Sequence, residues 1–477
     1  MTSSAPARIP PGKRLALAVL CAATLMTIVD ETIVSVAMPS IQGDLGFSAA
    51  GLSWVVNAYL IAFGGLLLLG GRLGDLVGRH HVLLAGLGVF VLASAACAAA
   101  PSATALVVGR FVQGAGAALA ASVALGMVVA LFDDPRARAT ALGVYSFVGA
   151  SGASIGLVLG GLITAAAGWR WAFLINLPIG LATVVAGLRV LDRTAGLGLR
   201  AGADPRSALL LTGGAMAAIL AIVEDRARPV GIAAVLALAA FVRRQAHVER
   251  PLLPLAVFRS RVVSGANAAH ALFVGAMFGF QFLIALYLQQ VLGYTPAQAG
   301  LAVVPVAAGI GVMSLLAFPR IVARSGPRRA LLPGLLLVAA GLALLTRAPV
   351  DGDYLTDVFP SMLLFAAGGG LTLPAVMTLA MSEVAPEAAG VASGLINTSQ
   401  QVGGALGLSV LAAAAASRTD ALRDGGADPA TALVGGYQLA WGLGAGLVLA
   451  AAAVVALVVR EGRRTCGAEA PAHEPSI

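Results

Sequence analysis

The chain has 477 residues, 59% of them hydrophobic and 11% charged, with a formal net charge of +8 and a mean hydropathy of +0.93. That much apolar side chain exceeds what a soluble core can bury, which excludes a soluble domain and implies an all-α integral membrane protein in a lipid bilayer. The basic residues lie in short connections between apolar runs rather than on one solvated surface, so no nucleic-acid partner is implied.

Arg8, Lys13 and Arg14 precede an apolar run at 15–38. It is too long for the core of a cleavable signal peptide and reads as a first membrane helix behind a tail, 1–14. Within it, TIVDETIVSV (27–36) sets Asp30 beside Glu31 at lipid depth. An ionised acid at the bilayer centre costs roughly 2.5–3.5 kcal/mol on insertion scales, so such residues are paired, lie in a wet cavity, or are functional. Five more runs follow at 52–71, 81–100, 104–131, 138–163 and 170–190, completing a six-helix bundle over 15–193. Two runs at 207–224 and 229–242 form an inserted pair in 194–247. Six more, at 264–290, 298–319, 329–347, 357–380, 389–416 and 434–459, build a second bundle over 248–460, before a tail, 461–477. With both termini in the cytoplasm, most basic residues fall in cytoplasmic connections, as the positive-inside rule requires. The exceptions are Arg170, Arg226, Arg228, Arg347, Arg418 and Arg423 outside, and Arg110 inside a helix.

The two bundles share a repeat. GRLGDLVGRHHVLLAG (71–86) and PRIVARSGPRRALLPG (319–334) align on Gly78 and Gly326, and Arg72 then faces Arg320. Repeated halves with a site at their interface are a transporter design. In the first copy Gly71 and Gly78 allow a tight reversal. Asp75 is placed to pair with Arg79 or a neighbouring arginine. This cluster resembles the loop signature of the major facilitator superfamily, G-x-L-x-D-R-x-G-R-K-x-x-L, with Leu76 and His80 as departures. The resemblance implies a latch on the cytoplasmic gate formed by Gly71, Arg72, Asp75, Gly78 and Arg79; the alternative is a charged topology anchor. Two solvated histidines, His80 and His81, either make it sensitive to cytoplasmic pH or stand by.

LVVGRFVQGAGAALAAS (106–122) puts Arg110 and Gln113 in a helix, where an arginine needs a partner. At 1.5 Å per residue, Asp30 lies roughly 12 Å and Arg110 roughly 9 Å below the outer face, within a turn of each other. At least one of the two acids therefore pairs with Arg110, as a proton-coupling group or as a static ion pair. VDETIVSVAMP is similar to the L-D-x-T-I-V-N-V-A-L-P signature of fourteen-helix drug:proton antiporters, with Asp30 at its Asp position. Neighbouring helix residues point about 100° apart, so Asp30 and Glu31 cannot both face one partner. Which of them carries the proton stays open.

Gly152, Gly156, Gly160 and Gly161 form a small-residue stripe. Such a stripe permits close helix approach, and it resembles the fifth-helix motif of exporters, although Leu157 stands where the motif has proline. Asn57, Tyr59, Gln113, Gln281, Tyr287, Asn397 and Gln400 are polar groups in apolar helices. They suit either a cavity for amphipathic organic molecules or interhelical hydrogen bonds. His270 reads as packing. The chain is identified as a member of the fourteen-helix antiporter family. Membership implies a bacterial cytoplasmic-membrane exporter, expected as a monomer, that exchanges protons for a small organic substrate. The alternatives are a proton- or solute-coupled importer on the same fold and a non-transporting sensor or assembly partner. Cys21, Cys97 and Cys466 are too scattered for a disulfide framework. With no metal cluster, nucleophile triad or nucleotide loop in the sequence, neither an enzyme activity nor a cofactor is implied.

Overall fold

The computed structural model describes residues 11–48, 51–132, 134–193, 196, 198, 204–223, 228–248, 251–253, 255–381 and 389–458. Most of both tails, with Cys466, and Arg226 lie outside the described residues. Every regular element among those residues is helical.

The first bundle comprises α1 (Pro11–Leu45), α2 (Trp54–Val77), α3 (Arg79–Ala98), α4 (Ala103–Leu131), α5 (Pro135–Ala167) and α6 (Arg170–Val190). The inserted pair is α7 (Pro205–Val223) and α8 (Arg228–His247). The second bundle begins with α9 (Arg261–Leu286) and α10 (Pro296–Val312), the latter continuing through a wide turn, Met313–Ala317, into Phe318–Ser325. It is completed by α11 (Pro327–Leu345), α12 (Phe359–Met381), α13 (Ala389–Asp424) and α14 (Pro429–Val458). Thirteen helices among the described residues are long and apolar enough to cross a membrane. The fourteenth rod is α5, 33 residues long. An even number of spans puts the start of α1 and the end of α14 on one side, termed here the near side; the other is the far side.

Local signals start the helices where the sequence turns. Ser102, Asp134 and Ser260 accept backbone N–H bonds at the heads of α4, α5 and α9, and Thr295 with Gln298 closes a capping box before α10. These caps satisfy N–H groups that have no partner inside the helix. The polarity is inverted relative to a soluble protein: Leu92, Leu315 and Leu457 are 73%, 72% and 75% exposed, whereas Asp30 and Arg110 are 0% exposed. Bare leucines are at home against lipid chains, and charges are confined to the bundle interior.

Three expectations need correction. α1 runs on to Leu45 rather than ending near 38, with Pro39 inside it. In its polar last turns, Asp44 accepts from Trp169 and Arg170 at the head of α6, and Gln42 accepts from Gln290. Gly71 lies within α2, so it does not help turn the chain. The reversal is made by Gly78 alone at φ 98°, a left-handed conformation that favours glycine, and Gly326 repeats it at φ 81° before α11. His80 is not solvated; it is 3% exposed inside the first bundle.

The inserted pair packs α7 against α8 and against both α2 and α13, so it sits on the seam between the bundles. Arg244 grips Asp204 at 2.9 Å across the near-side ends of the pair. Phe241, Leu253 and Leu395 form a small apolar cluster there, with Leu68 of α2 packed on it.

Candidate functional site

α1, α3, α4 and α6 each deliver polar side chains to one point inside the first bundle. Arg110 Nη1 donates to Asp30 Oδ2 at 2.6 Å and to Gln113 Oε1 at 2.7 Å, while its Nε donates to the Val55 carbonyl at 2.9 Å. Its guanidinium carbon lies 4.3 Å from the centre of the Tyr59 ring, an arrangement that favours the cation further. The other oxygen of Asp30 accepts from Gln113 and from Asn176, each at 2.7 Å. Ser94 accepts from Gln113 at 2.7 Å and donates to the Phe90 carbonyl. An ion pair out of water holds only when its remaining hydrogen-bonding positions are satisfied; three donors meet that condition for the carboxylate, whereas Arg110 Nη2 is buried without a hydrogen-bond partner.

The depth argument for Asp30 and Arg110 thus ends in direct contact. Ser94 and Asn176 were not legible as members of the site. Depth counting was the available signal: Asn176 is six residues into α6, roughly 9 Å deep at 1.5 Å per residue, level with Arg110.

Glu31 does not join this cluster. It is partly exposed and makes no hydrogen bond or ion pair among the described residues. At the near side, Asp75 and Arg79 approach to 3.5 Å, both roughly half exposed, and Arg79 also reaches the Gly126 carbonyl of α4 at 3.5 Å. Arg72 is engaged as well.

Of the polar residues expected to line a cavity, four are buried against protein instead. Asn57 donates to Ser409 at 2.7 Å, joining α2 to α13. Tyr59 and Gln113 belong to the Arg110 cluster. Tyr287 is 0% exposed, donates to the Pro349 carbonyl and stacks edge-on with Trp441 inside the second bundle. In each case the buried polar group finds its partner elsewhere in the protein, on another helix or, for Tyr287, in the connection after α11. Gln281, Asn397 and Gln400 remain partly exposed.

The glycine stripe does two jobs. A Cβ at Gly156 would sit 1.9 Å from Thr32 Oγ1, and one at Gly160 would sit 2.8 Å from the Ile33 carbonyl, so these positions press α5 onto α1. Gly161 faces the other bundle, where a Cβ would meet the Pro296 carbonyl at 2.6 Å. That contact is part of a seam running from mid-depth to the far side. Gln290 donates to Gln42 at 2.9 Å, Gln289 to the Val36 carbonyl at 3.2 Å, and Thr398 to the Gly64 carbonyl at 3.1 Å.

Paired bundles, the first enclosing a buried arginine–carboxylate site and the two joined by a seam at Gly161, match a known architecture. The Major Facilitator Superfamily matches residues 20–408. The chain belongs to that superfamily. Within it, the chain is 38% identical over 466 residues to the puromycin resistance protein of Streptomyces alboniger, covering 95% of this chain and 92% of that one. It is 37% identical to the cephamycin export protein of Amycolatopsis lactamdurans, over 85% of each chain. To the tetracenomycin C resistance and export protein of Streptomyces glaucescens it is 34% identical, over 83% of this chain and 74% of the other. Among solved structures, an auto-inhibited POT family peptide transporter aligns with a TM-score of 0.72 at 16% identity, over 98% of this chain and 99% of that one. A bacterial homologue of the lysosomal transporter Spinster, in an inward-facing occupied conformation, aligns with a TM-score of 0.70 at 16% identity, over 94% and 97%. At such identity these two describe the fold. The sequence relatives are antibiotic resistance and export proteins, and this is a transporter rather than an enzyme.

Proposed function

We propose that the protein is a proton-coupled antiporter of the bacterial cytoplasmic membrane that exports hydrophobic or amphipathic small molecules by alternating access, with both termini in the cytoplasm. The observation that carries the reading is the buried Asp30 carboxylate, which accepts from Arg110, Gln113 and Asn176 at once. A proton arriving on Oδ1, which already accepts two hydrogen bonds, displaces one of them. A proton on either oxygen removes the charge that neutralises Arg110. Protonation is thereby tied to a rearrangement between α1, α4 and α6.

In this orientation the near side is cytoplasmic, and the far-side seam describes a conformation closed to the outside. The bundles over 15–193 and 248–460 are the moving parts, and the Gly78 turn with its flanking Asp75–Arg79 pair is the gate element on the cytoplasmic face. Each elementary charge carried inward releases about 2.3 kcal/mol per 100 mV, enough to drive a substrate outward against its gradient. The names of the sequence relatives support export over import and a small organic substrate; we take the single chain as the transporting unit.

The test is accumulation of an amphipathic fluorescent dye by cells expressing the protein, with and without a protonophore, beside Asp30→Asn at matched membrane abundance. The wild type lowers accumulation only while the proton gradient stands. Asp30→Asn resembles cells without the protein. Accumulation that ignores both the protonophore and the substitution would remove the proposal.

A further inference from the structure

The chain enters and leaves the inserted pair through two linkers, and each is pinned at a defined point. The entry linker lies across the last turn of α2. Gly198 N–H donates to the Leu76 carbonyl at 2.9 Å, and a Cβ at Gly196 would sit 2.1 Å from that same oxygen. The last carbonyls of a helix have no partner inside it, so this bond supplies one that α2 lacks, directly before the Gly78 turn. Leu76 itself, which stands where the superfamily signature has arginine, is 1% exposed. Higher on α2, a Cβ at Gly65 would meet Thr212 Cα of α7 at 3.1 Å, so there too the contact is backbone against backbone. The exit linker is held by the pair. Leu253 N–H donates to Gln245 Oε1 at 3.0 Å, and Gln245 in turn donates to Ser207 at 2.6 Å. Immediately beyond, the short turn Leu255–Arg259 already belongs to the second bundle, where its Phe258 carbonyl accepts from Ser264 of α9 at 2.8 Å.

Toward the second bundle the pair offers only apolar side chains, with Leu395 of α13 clustered on Phe241 and Leu253. No hydrogen bond or ion pair joins α7 or α8 to α9–α14 among the described residues. Backbones in close contact and hydrogen-bonded together move as one body, whereas packed apolar side chains slide past one another in shear. We propose that the inserted pair is a fixed part of the first bundle, strapped to its gate turn, and that the second bundle slides along it about a joint at 253–255. Because α7 lies on both α2 and α13, the pair keeps lipid out of the crevice between those helices while the near side opens. An eight-helix body thus rocks against a six-helix one. This inference rests on the alternating-access reading and divides the moving parts within it.

Thiol bridging tests it in the dye assay, in a Cys466→Ser background; Cys21 and Cys97 are buried. Leu68→Cys with Leu211→Cys ties α7 to α2, and Phe241→Cys with Leu395→Cys ties α8 to α13, all four positions lying in or on one apolar cluster. A short bis-methanethiosulfonate across the first pair is expected to change efflux less than about twofold, and across the second to lower it at least about tenfold until reductant is added. Unbridged proteins that ignore the protonophore would sink the efflux reading instead, and spin-label distances in detergent then decide the present one without transport. Labels at the exposed Leu236 of α8, Leu92 of α3 and Leu443 of α14 serve for this. The Leu236–Leu92 distribution is expected to be narrow and the Leu236–Leu443 distribution broad. Gly198→Pro removes the strap's N–H and cannot take its φ of 86°, so it is expected to broaden the first. The proposal is overturned by equal loss of efflux from both bridges, by loss from the first alone, or by efflux untouched by the second. Equal widths, or a Leu236–Leu92 distribution indifferent to Gly198→Pro, overturn it as well.

Discussion

Asn176 and Gln113 are the residues through which the buried charge is held still. Each spends one amide N–H on the same oxygen of Asp30. Asn176→Ala removes a donor and leaves that acceptor underused in a fully buried site, at a cost of roughly 1–3 kcal/mol. The expected outcome is a lower melting temperature in detergent together with reduced dye efflux; an unchanged melting temperature would mean that the third donor contributes nothing. At this scale the sequence was informative where charge was involved. An arginine and an acid inside apolar helices demand one another, and their depths agreed. The neutral members were illegible because Ser94 and Asn176 are common enough in membrane helices that only their meeting in three dimensions marks them. Polarity alone could not choose between cavity and internal hydrogen bond for Asn57 and Tyr287, since a buried polar group turns to whatever neighbour offers a partner.

Helix packing here depends on missing side chains. Without water to expel, close backbone approach is the chief source of attraction between membrane helices, and glycine permits it. Gly156→Val places a branched side chain where even a Cβ would meet Thr32 Oγ1. Overpacking of this kind typically costs about 1–3 kcal/mol, and the expected outcome is a destabilised protein with little efflux. Gly213 of α7 is the control. A Cβ there meets nothing within 4 Å, and Gly213→Ala is expected to be neutral or to gain up to about 1 kcal/mol from helix propensity. A melting temperature that responds equally to both substitutions would refute this account of the stripe. The stripe and the Gly78 and Gly326 turns were visible as patterns of small residues. The length of α1 was not, because its final turns are polar and follow Pro39, features that mark an end in sequence but here serve contacts beyond the bundle.

For the whole molecule, alternating access requires the far-side seam to open. Gln42→Cys with Gln290→Cys places thiols where the two amides now meet. Oxidative cross-linking is expected to abolish dye efflux and reduction to restore it; a cross-linked protein that still transports would show that this seam does not move. The count of spans and their pairing into halves followed from hydropathy and the repeated turn. How the halves touch did not, because the contacts join residues hundreds of positions apart. The hydrogen bonds described across that seam are all neutral: glutamine to glutamine, asparagine to serine, and side chains to backbone carbonyls. Bonds of this kind contribute only about 0.5–1.5 kcal/mol apiece. These bonds therefore add little to the closure and are indifferent to ionic strength, and the work of a single proton descending the membrane voltage is of the same order as a few of them together.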